Sequence, residues 1–268
     1  MKKSIVIFGY GQRGKIYANY SKFREEEFKI VAIIENNPKK TDEIRREYNC
    51  PFFSDYRDFL KANIKADIVA IATQDADHKE HAIAFLEKGY DLLLEKPIAN
   101  SLEDVLAIYE AAMRYNRKVI VCHVLRYTPF YRKVKEIVES GELGDIINVS
   151  ASENVGFYHQ AHSFVRGPWK NSLESSPMIL AKCCHDMVRW IIDKKCVNVA
   201  SFGDLSFFKK ENQPVGASAY CSDCRIQDCV YKAQKLYVEY PWMSRYYNRK
   251  EDTEENILNE LVHTDYDR

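Results

Sequence analysis

Glycine is scarce in this chain, ten among 268 residues, and proline and tryptophan number only eight and three. That composition excludes collagen-like repeats and glycine-rich linkers. An excess of charge is also missing: 39 basic side chains face 39 acidic ones, and the formal net charge is zero. A neutral chain lacks the broad positive field used to bind nucleic acid or anionic membranes, so neither is expected as a partner. No apolar run approaches the roughly 18 residues that a membrane span needs. The opening MKKSIVIFGYGQRG places lysines before an apolar run, but that run breaks into glycines too soon for a secretion signal. The expected location is therefore cytoplasmic, where the eight cysteines are reduced thiols, core fillers or metal ligands rather than a disulfide framework. What is present, 46% hydrophobic and 29% charged residues, suits a globular chain of one large or two ordinary domains.

Short apolar runs recur through the first half: Ile5 to Phe8, Lys29 to Ile34, Asp67 to Ala72, Tyr90 to Leu94 and Lys118 to Val124. Helical spacing lies between them, as at Ile16, Tyr17 and Tyr20, at Ala82, Ile83 and Leu86, and from Ser101 through Tyr115. Such alternation predicts an α/β fold with a parallel, doubly wound sheet. The runs are apolar on both faces, as strands covered by helices on both sides should be. After about residue 125 the rhythm changes. A helix around Val134, Ile137 and Val138 ends at Gly141, Asp145 to Glu153 alternates like a strand, and a polar aromatic loop fills 157–177. An apolar helix near 178–192 and a second strand candidate, Val197 to Phe208, follow. The expected division is 1–124 for the parallel-sheet domain and 125–268 for a smaller α+β domain with an incomplete sheet.

Three of the ten glycines fall together in Gly9-Tyr10-Gly11-Gln12-Arg13-Gly14, where a strand turns into a helix. In a G-x-G-x-x-G turn the first glycine permits the tight bend and the second lets backbone approach a pyrophosphate. The third lets helix and strand pack closely, with the helix N-terminus facing the phosphates. Glu35 ends the next strand, 21 residues beyond Gly14, where an acid accepts hydrogen bonds from the adenosine ribose. Its charge repels a 2′-phosphate and favours NAD, while Lys39 and Lys40 soften that repulsion and leave NADP open.

Glu95-Lys96-Pro97 stands at the end of the fourth run, the sheet edge where open α/β folds bind ligands. Proline stops the strand and restricts the lysine before it. With the glycine turn, and with ATQDADH (72–78), EKPIA (95–99), LRYTPFY (125–131) and GELGDI (141–146), the chain resembles the Gfo/Idh/MocA family, the glucose–fructose oxidoreductase and inositol dehydrogenase group. The stretch 162–187 resembles a subgroup of it. The resemblance implies an N-terminal Rossmann domain and a C-terminal domain on an open, mostly antiparallel sheet. It also implies hydride transfer between NAD(P) and a carbinol of a sugar, cyclitol or derivative. Carried over by residue, Gly9, Gly11, Gln12, Arg13, Gly14, Glu35, Thr73, Gln74, His78, Glu95 and Lys96 face the cofactor. Lys96 and His185 are the expected catalytic pair: a histidine titrating near pH 6.5 takes the hydroxyl proton and an ammonium steadies the developing alkoxide.

This chain departs from the family where an Asp often precedes the histidine by four, here Ala181, and where an acid often follows by three, here Val188; Lys182 and Asp186 are the polar substitutes. Arg126, Tyr127, His162, Arg166, Trp169 and Lys182 are the substrate-side candidates, since basic groups near an indole suit a hydroxylated or anionic sugar ring. Cys221-x2-Cys224-x4-Cys229 is the one metal-like spacing; Cys183, Cys184 or Cys196 would have to supply a fourth ligand, and reduced thiols are the alternative. Family members continue for several strands past the point where this sequence stops, so a shortened sheet is expected, with homo-oligomers only if that sheet is complete. Two other functions share these residues: an NAD-dependent glycosidase that oxidises its sugar transiently, and a non-catalytic dinucleotide binder.

Overall fold

The computed structural model describes residues 2–166 and 183–239, apart from the side chains of 164–166 and 183–185. Contacts divide the chain into two compact units, 1–151 with 176–194, and 152–175 with 195–268. This division differs from one placed after residue 124, because residues 125–151 and the helix Cys183–Ile192 group with the first unit.

The first unit is built on a six-stranded sheet. In chain order its elements are β1 (Lys3–Phe8), α1 (Gln12–Phe23), β2 (Phe28–Ile34), α2 (Thr41–Glu47), β3 (Phe52–Phe53), α3 (Tyr56–Lys61) and β4 (Ile68–Ile71). Then follow α4 (His78–Glu87), β5 (Asp91–Leu94), α5 (Leu102–Arg114), β6 (Val119–Val121) and α6 (Pro129–Glu139). The strand order is β3-β2-β1-β4-β5-β6 and every pairing is parallel. Order therefore reverses between β1 and β4, and the crevice beyond their C-terminal ends is where such sheets bind ligands.

Burial explains the sheet. Successive strand residues point to opposite faces, and here both faces are covered. Val6, Phe8, Ala32, Ile34, Val69 and Ile71 enter one core with Phe59, Phe85 and Leu86. Ile7, Ile33 and Ala70 enter the other with Tyr10, Ala18, Ile44 and Tyr48. The helices begin where short polar side chains occupy the caps. Asp55 accepts from the Arg57 N–H at 2.7 Å, Ser101 Oγ accepts from the Asp104 N–H at 3.1 Å, and Thr128 precedes Pro129 at the start of α6. Gly89 ends α4 at φ +87°, a left-handed value that glycine reaches without strain.

Two strand expectations fail. Neither 145–153 nor 197–208 carries a ladder, and among the described residues no strand follows Val121. Alternation marks an extended segment, but a strand also needs a neighbour for its N–H and C=O groups. Ile147, Val197, Val199 and Phe202 are exposed instead of paired. A third difference is β3, two residues too short for periodicity to reveal.

In the second unit, α7 (Phe157–Gln160) leads into a π-helical turn, Ala161–Arg166. Ala161, Ala233, Leu236 and Tyr237 form its small core, beside stacked rings of Phe157 and Phe208 with centroids 5.5 Å apart. Helix α8 (Cys183–Ile192) belongs to the first unit and packs on α6, where Lys135 Nζ donates to the Trp190 carbonyl at 2.9 Å.

At the start of the sheet, Asp67 accepts from the Ser4 N–H at 2.8 Å, from its hydroxyl at 2.7 Å and from Lys3 at 3.3 Å. The Ser4 bonds, backbone N–H first, pull the Asp67 carboxyl down to about 2 from an ordinary 3.8. Because the folded value is the lower one, this support is complete above about pH 4 and is lost as pH falls toward 2. Thermal melts across that range should show Asp67→Asn less stable than the parent at pH 7, with the difference closing as the medium is acidified.

Candidate functional site

The β1–α1 turn carries the glycines in three different environments. Gly9 has φ +87°, and a Cβ there would lie 2.6 Å from the Ala72 carbonyl oxygen. A Cβ at Gly14 would sit 1.8 Å from the Gly9 carbonyl oxygen. These two are required by the protein's own packing. Around Gly11 a Cβ would meet nothing within 4 Å. Its bare backbone faces open space at the N-terminus of α1, which is the cradle a pyrophosphate would fill. Gln12 adds a buried Nε2 that has no hydrogen-bond partner among the described residues. An unsatisfied buried donor beside a helix N-terminus fits an anionic or carbonyl-bearing ligand.

Glu35 lies just beyond β2 and is buried. Its carboxylate accepts from the Tyr10 N–H at 2.7 Å, the Asn37 N–H at 2.8 Å and Lys40 Nζ at 3.1 Å. The acid thus fastens the glycine turn to the end of β2. A carboxylate offers about four acceptor sites, and three are in use, so one remains for a ribose hydroxyl. The Lys40 ammonium offsets its charge.

The turn after β5 is held from several sides. Glu95 is buried; Tyr17 Oη donates to it from α1, the Lys96 N–H donates to Oε2 at 3.2 Å, and Arg13 Nε lies 3.7 Å from Oε1. Burial and the neighbouring Cys122 and Glu95 side chains raise the Tyr17 phenol pKa, so it stays a donor. The Lys96–Pro97 peptide is cis. His78, at the first position of α4 and fully buried, places Nδ1 2.9 Å from the Pro97 carbonyl, which can only accept. Its Nδ1 therefore carries the hydrogen, and its Nε2 has no partner among the described residues. Thr73 and Gln74 follow β4, and Thr73 Oγ1 lies 3.0 Å from His81 Nδ1. The glycine turn, Glu35, Thr73, His78 and the Glu95-Lys96-Pro97 turn thus all stand at the C-terminal ends of the strands.

Arg126 is committed to Asp186, donating through Nε at 2.8 Å and through a second nitrogen to the other carboxylate oxygen. Tyr127 is exposed. His162 is buried in the second unit with Nδ1 2.9 Å from Tyr237 Oη, and burial pushes it down to about 4. A buried neutral imidazole paired with a phenol is a core histidine, where the aromatic loop predicts an accessible one. The side chains of Arg166 and His185, and Trp169 and Lys182 altogether, lie outside the described residues. His185 itself is on α8, one residue before Asp186. No group of three or more His, Cys, Asp or Glu suited to a metal ion occurs among the described residues. Cys221 Sγ accepts from the Ala233 N–H at 3.4 Å, and backbone hydrogen bonds lower the half-buried Cys224 thiol.

Two contributors escape sequence reading. Tyr17 reaches Glu95 across 78 positions, and no local pattern announces such a contact. His123 lies two residues beyond β6, at the ligand-binding edge of the sheet, a position that alone could have singled it out.

The strand order and the glycine turn are those of a Rossmann-type dinucleotide-binding domain. Residues 3–123 match the model of the Gfo/Idh/MocA family, described as an oxidoreductase family with an NAD-binding Rossmann fold. YteT of Bacillus subtilis, provisionally named an oxidoreductase, is 27% identical over 246 residues, 85% of this chain and 56% of the relative. Inositol 2-dehydrogenase 3 of Saccharopolyspora erythraea is 32% identical over 136 residues, 49% of this chain and 37% of the relative. The crystal structure of scyllo-inositol dehydrogenase from Lactobacillus casei with bound NAD(H) and scyllo-inositol is similar at a TM-score of 0.52 and 26% identity, covering 55% of this chain and 43% of that one. The chain spans about half the length of the curated relatives it matches. Among the described residues no helix is long and apolar enough to cross a membrane.

The glycine environments separate stability from binding. Gly14→Ala should lower the melting temperature sharply or prevent folding, because its methyl group overlaps the Gly9 carbonyl. Gly11→Ala should melt like the parent and lose about tenfold or more in NAD affinity, read by calorimetry. Lys40→Ala tests the offset charge on Glu35. Without that ammonium, NADP affinity should fall by about tenfold relative to NAD, measured in the same titrations.

Proposed function

We propose that the chain is the cofactor-binding and catalytic part of an NAD-dependent oxidoreductase that transfers hydride between nicotinamide and a carbinol of a polyol, a cyclitol or sugar. One observation carries this reading: Glu95 joins the phosphate-binding helix, through Tyr17 and Arg13, to the turn that presents Lys96. A dinucleotide placed by the glycine turn would thereby lie in fixed relation to that ammonium. The inositol dehydrogenase relatives support the substrate class. Glu35, with one acceptor site left for a ribose hydroxyl, supports NAD over NADP.

When bound, NAD accepts the hydride. The chain's own work is to orient that cofactor and to manage charge and a proton at the substrate oxygen. Lys96, directed by a turn fixed at the Glu95 carboxylate and the Pro97 carbonyl, steadies the alkoxide as it develops. A histidine takes the hydroxyl proton, and the family resemblance gives that part to His185. Glu95 and His78 hold the turn in shape and act through Lys96.

The test pairs binding with turnover. NAD should bind by calorimetry in the micromolar range (order of magnitude, about −8 kcal/mol), and NADP more weakly. Absorbance at the reduced-nicotinamide band should then rise with at least one member of a panel of inositols and sugar alcohols. Lys96→Ala should keep NAD affinity within about threefold and lower kcat by about 100-fold or more. Equal turnover in Lys96→Ala would overturn the assignment of Lys96.

A further inference from the structure

His123 lies two residues beyond β6, and its N–H donates to the Val121 carbonyl at 2.8 Å. Its Nδ1 lies 3.5 Å from Asp186 Oδ2, across 63 positions of sequence. Asp186 cannot swing freely. Arg126 grips both of its oxygens, and α8, which carries it, is pinned to α6 where Lys135 bonds the Trp190 carbonyl and lies 5.3 Å from its ring centre. The other imidazole nitrogen, Nε2, engages no partner among the described residues, and the side chain is 23% exposed.

The charged groups bearing on His123 come from three elements: Asp186 from α8, Arg126 from the turn after β6, and Lys96 and Glu95 from the turn after β5. Burial first, then Arg126 and Lys96, lower its pKa, while Asp186 and Glu95 oppose them. A histidine so placed is neutral at pH 7, with a free lone pair on Nε2 and a carboxylate behind Nδ1 to support the cation that a proton would create. This is the division of labour in an aspartate–histidine dyad, in which the acid orients the ring and stabilises the imidazolium.

We propose that His123, backed by Asp186, accepts the substrate's hydroxyl proton, in the part that the family resemblance gives to His185. The inference rests on the oxidoreductase reading above. As a carbinol is oxidised, the C–H electron pair leaves as hydride to the nicotinamide, the O–H bond pair becomes the second bond of C=O, and the proton passes to His123 Nε2. Solvent reaches the ring edge and receives the proton afterwards. His185 stands one residue from Asp186 on the same helix, and the two histidines are separable by experiment.

His123→Gln in the full chain should keep NAD affinity and melting temperature, and lose about 100-fold or more in kcat/KM with the polyol that the parent turns over. Added imidazole should restore part of that loss, which repair of a structural defect would not do. The acid limb of the parent's pH–rate profile should be absent from the variant. Turnover within about threefold of the parent, with the same acid limb, would overturn the proposal and leave the oxidoreductase reading intact. A second arm needs no turnover. In histidine-labelled protein, the His123 ring should titrate below a free histidine, fall further in Asp186→Asn because a raising influence is gone, and shift on adding NAD with scyllo-inositol. A titration unmoved by Asp186→Asn, or a resonance unmoved by both ligands, would also overturn it. If the parent reduces NAD with no polyol while these shifts appear, the oxidoreductase reading fails and the coupled pair stands.

Discussion

The Glu95 carboxylate is the joint on which the site depends. It is buried, and it is held by a phenol from α1, an amide from its own turn and a guanidinium from the glycine loop. A buried carboxylate with so many donors is costly to disturb, since removing any partner leaves polar atoms without water. The consequence is geometric. The helix that follows the glycine turn and the turn that carries Lys96 cannot shift independently. His78 braces the same turn from α4 through the Pro97 carbonyl.

The parallel sheet is what makes this joint possible. Both faces of its central strands are buried, so the strands cannot slide, and their C-terminal ends form one edge in register. The turns along that edge are then positioned by the core rather than by their own sequences. That is why short loops with unlike side chains, a glycine turn, a Thr-Gln pair and a Glu-Lys-Pro turn, converge on one crevice. Chemistry in this chain rests on the first unit's core; the second unit, with its few buried side chains around Leu236 and Tyr237, is built on a smaller scale.

How much of this was legible varies by the range of the interaction. Five of the six strands announce themselves as apolar runs, and the caps at Ser101 and Gly89 fall where local chemistry places them. The glycine turn and Glu35 are legible because spacing along the chain mirrors proximity in space. β3 is not, because two residues carry no period. Nor do Asp145 to Glu153 and Val197 to Phe208 behave as their alternation suggests, since pairing depends on a neighbour and not on pattern. Tyr17 and the His123–Asp186 pair are invisible locally, for each is made by residues 60 or more positions apart. Arg126 illustrates the limit best: basic and well placed, it suits an anionic substrate, yet its guanidinium is already occupied by Asp186.

One feature of the loop reaches beyond chemistry into how such a protein can change over generations. Glu35 bonds the Tyr10 amide, so the residue proposed to discriminate between nicotinamide dinucleotides is also a strut of the glycine turn. A mutation that relaxes discrimination by removing the carboxylate also strips a bond from the loop that both dinucleotides require. Cofactor preference is then not a free trait in this chain. Drift towards NADP passes more readily through the flanking lysines, which hold no part of the turn's backbone, than through the acid itself.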